Sequence, residues 1–141
     1  MSNFERNKEG GWIIPANTVV PSNTVVPQNS KIGNGCNFGL GCIFQSGCNF
    51  GNDCSFEYGC EFENFIVLGQ NCSICGVIVQ KWLTVSNVDG SGRQVKIIRH
   101  AEGILIEAGC FVGTLDEFVA KAIAENKMQY VKIISLIASG L

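Results

Sequence analysis

The stretch from Ile32 to Glu61 reads IGNGCN, FGLGCI, FQSGCN, FGNDCS and FEYGCE when divided into sixes. Every unit opens on an apolar residue and carries cysteine fifth. The frame continues outward without an insertion: IPANTV, VPSNTV and VPQNSK lead in from Ile14, and FENFIV, LGQNCS and ICGVIV carry it on to Val79. The first position is apolar in every unit: Ile14, Val20, Val26, Ile32, Phe38, Phe44, Phe50, Phe56, Phe62, Leu68 and Ile74. The fifth is small in most, as Thr18, Thr24, Ser30, Cys36, Cys42, Cys48, Cys54, Cys60 and Cys72, with Ile66 and Ile78 as larger exceptions. The second is Pro15, Pro21 or Pro27 and later Gly in Gly33, Gly39, Gly51 and Gly69. The fourth is almost always Asn, Gly or Asp, residues that tolerate positive φ at a turn.

A period of six is a multiple of the strand period of two, so positions one and five share one side of an extended segment. Each hexad is therefore predicted to be one short strand and one bend, with a large and a small side chain facing inward. Three hexads close a coil, and the eleven hexads make roughly 3.7 coils stacked about 4.8 Å apart by parallel backbone hydrogen bonds. A step of one coil places Phe38 under Phe56, Phe44 under Phe62, and Cys36 under Cys54 and Cys72. Cysteine at position five makes room for phenylalanine at position one.

This pattern resembles the hexapeptide-repeat proteins, over about half the chain. The resemblance implies a left-handed parallel β-helix; the hand comes from the family, since the hexad alone does not specify it. Phe in five successive first positions departs from that family's usual Leu, Ile or Val.

After Ile78 the period fails. Trp82 to Val88 and Gln94 to His100 are β-rich runs joined by Asp89-Gly90-Ser91-Gly92, a hairpin connection, and Glu102-Gly103 turns into Ile104-Leu105-Ile106. Thr114-Leu115-Asp116-Glu117 reads as a capping box. The following helix is expected to bury Leu115, Phe118, Val119, Ala122 and Ile123. A second helical run has Val131, Ile134 and Ile137 on one face, with Ile133 and Leu136 beside it. The fold class is thus mostly β: a left-handed parallel β-helix of about 3.7 coils, then a small β-meander and one or two C-terminal α-helices. The expected divisions are an N-terminal cap segment over 1–13, the β-helix over 14–79, and an α+β module over 80–141 with its meander at 82–111 and helices at 115–125 and 128–138. The N-terminal segment and the C-terminal module are expected to cap the open ends of the coil, whose unpaired edges invite aggregation.

The segment Ala108-Gly109-Cys110-Phe111-Val112-Gly113-Thr114-Leu115-Asp116-Glu117-Phe118 is similar to the tail of small phage and prophage proteins that follow Cys-x-Phe-Gly hexads with an Ala-Gly-Cys-Phe-x-Gly-Thr-Leu-x-Glu-Phe motif. That resemblance implies a viral accessory protein and no settled activity.

Composition narrows the function. The 141 residues hold 10 Lys+Arg against 12 Asp+Glu, a net charge of −2, with 46% apolar and 16% charged residues. That balance argues against a basic nucleic-acid surface, a polybasic membrane anchor or a disordered chain. The N-terminus lacks a signal-peptide core and no apolar run is long enough to span a membrane, so a reduced, cytoplasmic location is expected. The 8 cysteines would otherwise raise a disulfide framework or a zinc site. Six of them are register positions, and Cys72-Ser73-Ile74-Cys75 is one CxxC where a structural zinc usually needs two pairs or added histidines. No metal and no cofactor are expected.

Many hexapeptide-repeat proteins are acyltransferases, and the resemblance implies a catalytic His at a cleft between subunits. The sole His, His100, falls outside the repeats in a predicted strand, so an enzyme is not expected and no residue is assigned a catalytic role. One basic cluster remains: Lys81, Arg93, Lys96 and Arg99, near Trp82 and His100. It is either a solvated sheet face or an anion pocket, with guanidinium on phosphate and Trp or His stacking on a base. Two function classes follow. One is a non-enzymatic phage accessory factor acting against a host defence, by sequestering a signalling nucleotide such as a cyclic nucleotide or by docking on a host defence protein. The other is a structural or virion trimerisation module. A homotrimer is expected in either case, partly from the family and partly because so short a column has little core of its own.

Overall fold

The computed structural model describes residues 4–141, so the first three residues of the expected N-terminal cap lie outside the described residues. The chain divides into two compact units, Met1–Ile78 and Val79–Leu141.

The first unit is a parallel β-solenoid of about three turns. Its strands are β1 (Glu5–Arg6), β2 (Trp12–Ile14), β3 (Val19–Val20), β4 (Val25–Val26), β5 (Lys31–Ile32), β6 (Asn37–Phe38), β7 (Ile43–Phe44), β8 (Asn49–Phe50), β9 (Ser55–Phe56), β10 (Glu61–Phe62), β11 (Ser73–Ile74) and β12 (Val77–Ile78). They stack in three sheets, ordered β1-β2-β5-β8, β4-β7-β10 and β3-β6-β9-β11-β12. Each parallel pairing steps by one coil: Ile14 on Ile32 on Phe50, Val20 on Phe38 on Phe56 on Ile74, and Val26 on Phe44 on Phe62.

The hexad explains these strands. Its first position is the second residue of each short strand and points inward; Val20, Val26, Phe38, Phe44, Phe50 and Phe62 are all essentially inaccessible. Phe38 stacks on Phe56 with ring centroids 5.1 Å apart and planes 7° from parallel, and Phe44 stacks on Phe62 at 5.1 Å and 19°. Between faces the rings meet edge to face, as in Phe38–Phe44 at 5.0 Å and Phe50–Phe56 at 4.9 Å. Burial of one such ring stabilises the fold by about 1.5–3 kcal/mol, and each ring pair adds about 0.5–1.5 kcal/mol. All six register cysteines are buried opposite them.

The fourth position turns the corner in the left-handed region. From Asn17 (φ 62°) through Asn23, Asn29, Gly35, Gly41, Gly47, Asp53, Gly59 and Phe65 to Asn71 (φ 58°), every fourth-position residue has positive φ. Asn17, Asn23 and Asn29 are each followed one coil on by Gly for a steric reason: a Cβ at Gly35 would stand 2.3 Å from Asn17 Oδ1. Phe65 is the departure, a bulky residue at φ 60° and 86% exposed.

Both ends of the repeat are closed by antiparallel strands. At the start, β1 pairs with β2, Phe4 packs on Trp12 at 5.5 Å, and the Trp12 amide donates to Ser30 Oγ at 2.8 Å. At the far end the eleventh hexad does not complete a rung. Cys75 (φ 52°) and Gly76 (φ 82°) form a two-residue turn that reverses the chain, pairing β12 antiparallel to β11 and leaving Ile78 51% exposed. Two successive positive φ values match the primed turns that hairpins prefer. The hexad at Leu68 is also loose: its rung is the single bridge Asn49–Val67, and Leu68 is only half-buried.

The second unit is an antiparallel sheet of β13 (Lys81–Ser86), β14 (Gln94–His100), β15 (Gly103–Ala108) and β16 (Phe111–Thr114), followed by helices α1 (Leu115–Ala124) and α2 (Met128–Ser139). The meander has a fourth strand beyond the three read from sequence, because Gly109 (φ 60°) and Cys110 turn the chain back so that Phe111 faces Ala108. The capping box is present: Glu117 N donates to Thr114 Oγ1 at 3.1 Å and Thr114 N to Glu117 Oε1 at 2.8 Å. Val95, Ile97, Ile106 and Ala108 pack against Phe118, Ala122, Tyr130, Ile134 and Ala138. Tyr130 replaces Ile123 in this core; Ile123 is 54% exposed, as are Ile133 and Leu136 at 41% and 74%. Among the described residues no helix is long and apolar enough to cross a membrane.

Candidate functional site

Alternation along a pleated strand sorts the six basic and aromatic residues named from the sequence. Lys81 pairs in register with Arg99, Trp82 with Ile98, and Thr84 with Lys96. Successive side chains on a strand point to opposite faces. Lys96 and Trp82 therefore share one face, while Arg99 and Lys81 share the other. Lys96 is 3% exposed and its Nζ lies 2.9 Å from Oε1 of Glu107, directly opposite on β15 and 2% exposed. Arg99 Nε donates to the Leu141 carbonyl at 2.6 Å. His100 ends its strand, and its Nδ1 accepts from the Glu102 amide at 3.4 Å in the following turn. The six residues do not converge on one pocket: the sheet divides them, and the Glu107 carboxylate neutralises Lys96.

Arg93 stands apart from the other five. It closes the β13–β14 loop, where Asn87 Oδ1 accepts from Gly92 N at 2.7 Å and Ser91 Oγ from Arg93 N at 3.2 Å. From there its guanidinium lies along the β15–β16 turn: a Cβ on Gly109 would stand 3.4 Å from Arg93 Nε. Glycine at this turn admits both the positive φ and the close guanidinium.

Arg93 borders a cavity of about 210 Å³ that also meets Cys110, Phe111, Phe118, Lys121, Glu125, Lys127 and Tyr130. The elements that build it follow from local sequence. The Gly109-Cys110 turn delivers Phe111, the capped start of α1 aims Phe118 inward, and the turn from Glu125 to Lys127 swings α2 back so that Tyr130 packs on Phe118. Phe111 meets Phe118 edge to face at 5.6 Å, and Phe118 meets Tyr130 at 5.8 Å. The wall is aromatic and the rim is charged.

Glu125 binds the ammonium groups of both Lys121 and Lys127, the latter at 3.4 Å, and the Lys121 hydrogen bond holds its carboxyl below the usual range, with Lys127 adding to the effect. Among the described residues Arg93 enters no ion pair. The rim therefore carries three cations against one carboxylate. Lys127 is also the N-cap of α2, which has no side-chain cap and no acidic residue in its first turn. The carbonyl end of α1 lies in the same connection, so the two helix dipoles largely offset and the side-chain charges decide the sign.

The Tyr130 hydroxyl is buried and makes no hydrogen bond of acceptable distance and angle. Burial raises its pKa, while Ser91 and Asp89 of the β13–β14 loop lie near enough to influence its proton. Among the described residues no group of three His, Cys, Asp or Glu side chains is placed to hold a metal ion.

Of this constellation the sequence had pointed only to Arg93. Phe111 and Phe118 lie in the Ala108–Phe118 segment, which carried a resemblance but no binding role, Lys121, Lys127 and Tyr130 carry no motif spacing, and the packing of two helices on one sheet face is what assembles them. The fold and the cavity together define a β-solenoid joined to an α+β module that bears an open pocket with aromatic walls and a cationic rim. No protein-family model, curated protein or solved structure matches the chain.

Proposed function

We propose that this protein is a non-enzymatic binding protein that takes up a small signalling nucleotide and withholds it from a host defence response. The cavity bordered by Arg93, Phe111, Phe118 and Tyr130 carries this reading. An aromatic wall suits a flat base, and a rim of net positive charge suits phosphate. The resemblance of the Cys-x-Phe-Gly hexads and the Ala108–Phe118 segment to small phage proteins supports reading it as a viral accessory factor that acts in the host cytosol. Isothermal titration with cyclic mono-, di- and trinucleotides, with mass spectrometry of small molecules retained through purification, tests it. Binding or a retained nucleotide is expected; neither would overturn the reading.

A second reading, a trimerisation module of the virion, is favoured by one observation. Leu40 and Tyr58 stand above one another at one corner of the solenoid, 52% and 48% exposed, with Val25 48% exposed on the adjoining face. Large apolar groups grouped on a regular surface mark assembly. A homotrimer is the proposed state in both readings, checked by light scattering. Finding the protein in purified virions would favour the second over the first.

A further inference from the structure

We infer that Phe65 of one copy of this chain inserts into the aromatic cavity of a second copy, so that copies join head to tail. This goes beyond the binding reading above, and a ligand entering the cavity would have to displace the ring.

The protruding ring is the first observation. Among the described residues Phe65 is the most exposed large apolar side chain, at 86%. It stands at a corner of the solenoid where Asn29 and Gly47 occupy the two coils below, and it holds φ 60° there. Gly47 N donates to the Asn64 carbonyl at 2.9 Å, so the coil beneath ties down the backbone that presents the ring. A bulky residue in the left-handed region is strained, and such strain clusters where function uses the side chain. Within its own chain this ring gains little in return. Val67, two residues on, adds a second apolar side chain that is 54% exposed.

The cavity is the second. An apolar cavity of about 150 Å³ accommodates a benzene ring. At about 210 Å³ the space beside Phe111 and Phe118 holds one phenylalanine side chain. Those two rings already meet edge to face at 5.6 Å, and an entering ring extends the same arrangement, which aromatic groups prefer.

Charge is the third. From Ile32 to Ile78 the chain carries Asp53, Glu57, Glu61 and Glu63 and no cation. Glu63 is held at the corner of Phe65: its Oε1 accepts from Ser46 N at 3.2 Å and from Ser46 Oγ at 3.3 Å, one coil below. The cavity rim has the opposite sign. Lys121 and Lys127 share Glu125 there, and among the described residues Arg93 enters no ion pair. An aromatic anchor in a pocket, ringed by complementary charge, is what concentrates affinity in a protein interface.

Ring and cavity lie in different compact units of the chain. A contact between unlike patches is heterologous, so copies linked this way close into a ring or extend as a filament.

The test is sedimentation velocity of the full chain over a concentration series, with two variants. Phe65→Asn removes the ring and gives this corner the residue type that Asn29 supplies two coils below. Arg93→Glu combined with Lys127→Glu reverses the rim and leaves the Lys121–Glu125 pair in place. The parent is expected to self-associate, and each variant to do so about tenfold more weakly or less. Mixed in equal parts, the two variants are expected to form a one-to-one dimer, the Phe65 ring of the rim variant entering the intact cavity of the Phe65→Asn chain. Thermal melting of each variant confirms that it folds. A monomeric parent would overturn the inference, and so would a Phe65→Asn chain that associates as strongly as the parent. Folded variants that stay apart when mixed would overturn the head-to-tail contact.

Discussion

The thiol of Cys36 donates to the carbonyl oxygen of Pro15, 3.1 Å away in the preceding coil. The same carbonyl accepts from Thr18 Oγ1 at 2.7 Å within its own coil. The pattern repeats up the column: Cys42 to Pro21, Cys48 to Pro27, Cys54 to Gly33, Cys60 to Gly39 and Cys72 to Gly51, at 3.3–3.5 Å. Position five is therefore more than a small filler opposite phenylalanine. Where it is Thr, Ser or Cys it also donates to the second-position carbonyl, which the turn leaves without a ladder partner. These three residue types share that ability, and they fill every fifth position except Ile66 and Ile78.

Removing one donor from the column tests that account. Cys54→Ala is expected to destabilise by about 1–2 kcal/mol, the sum of a lost hydrogen bond and a small void. Cys54→Ser keeps the donor in a site Ser30 already exemplifies, and is expected to cost less than the alanine change. Urea denaturation of the two variants gives the order; alanine equal to or better than serine would refute the donor role.

Alkaline pH tests the burial of the same thiols. Burial pushes the Cys48 thiol up to about 11, from about 9 in the unfolded chain, and the nearby Glu63 adds to the rise. The folded state thus holds this proton more tightly. The stability it contributes is fully present below pH 9 and is lost as pH rises through 11. Cys48→Ala is expected to lose less stability than the parent between pH 8.5 and 10.5, by about 1–2 kcal/mol. Parallel pH profiles for the two proteins would contradict this.

At the corner occupied by Phe65, a bulky side chain holds a backbone that elsewhere in the column belongs to Asn, Gly or Asp. Left-handed geometry costs such a residue about 1–2 kcal/mol. Its ring is 86% exposed and has little packing to lose. Phe65→Asn is expected to raise stability by about 1 kcal/mol, read from the denaturation midpoint. A drop would show that the ring makes contacts beyond those of a solvated side chain.

The Lys96–Glu107 pair predicts non-additivity. Removing one partner of a buried ion pair strands the other charge, at about 3–5 kcal/mol. Lys96→Met and Glu107→Leu are each expected to destabilise by that order, and the double variant by far less than their sum. Additive costs in the double-mutant cycle would mean that the two charges do not depend on each other.

The solenoid was legible before any coordinates because its information is periodic and local. A residue's orientation follows from its place in the hexad, its stacking partner lies one coil away, and Phe38, Cys54 and Asn17 each announce their surroundings by residue type. Even the loose rung at Leu68 is foreshadowed by Ile66 at a fifth position otherwise held by small residues. The reversal at Cys75 is less visible, since a two-residue turn needs no more than Gly76 to form.

The second unit obeys a different logic. Lys81, Lys96 and Arg99 read as one basic patch, yet strand alternation parts them and cross-strand register gives Lys96 a buried partner in Glu107. Phe111, Lys121, Lys127 and Tyr130 become neighbours of Arg93 only when a tight turn at Gly109 and two packed helices bring distant segments to one end of the sheet. Short-range periodicity dictates which way a side chain points, so the chain's own pattern specified the column and its core. Which charges stay unpaired, and which rings surround a void, depend on the packing of non-adjacent segments, and that information appears only when the module is folded.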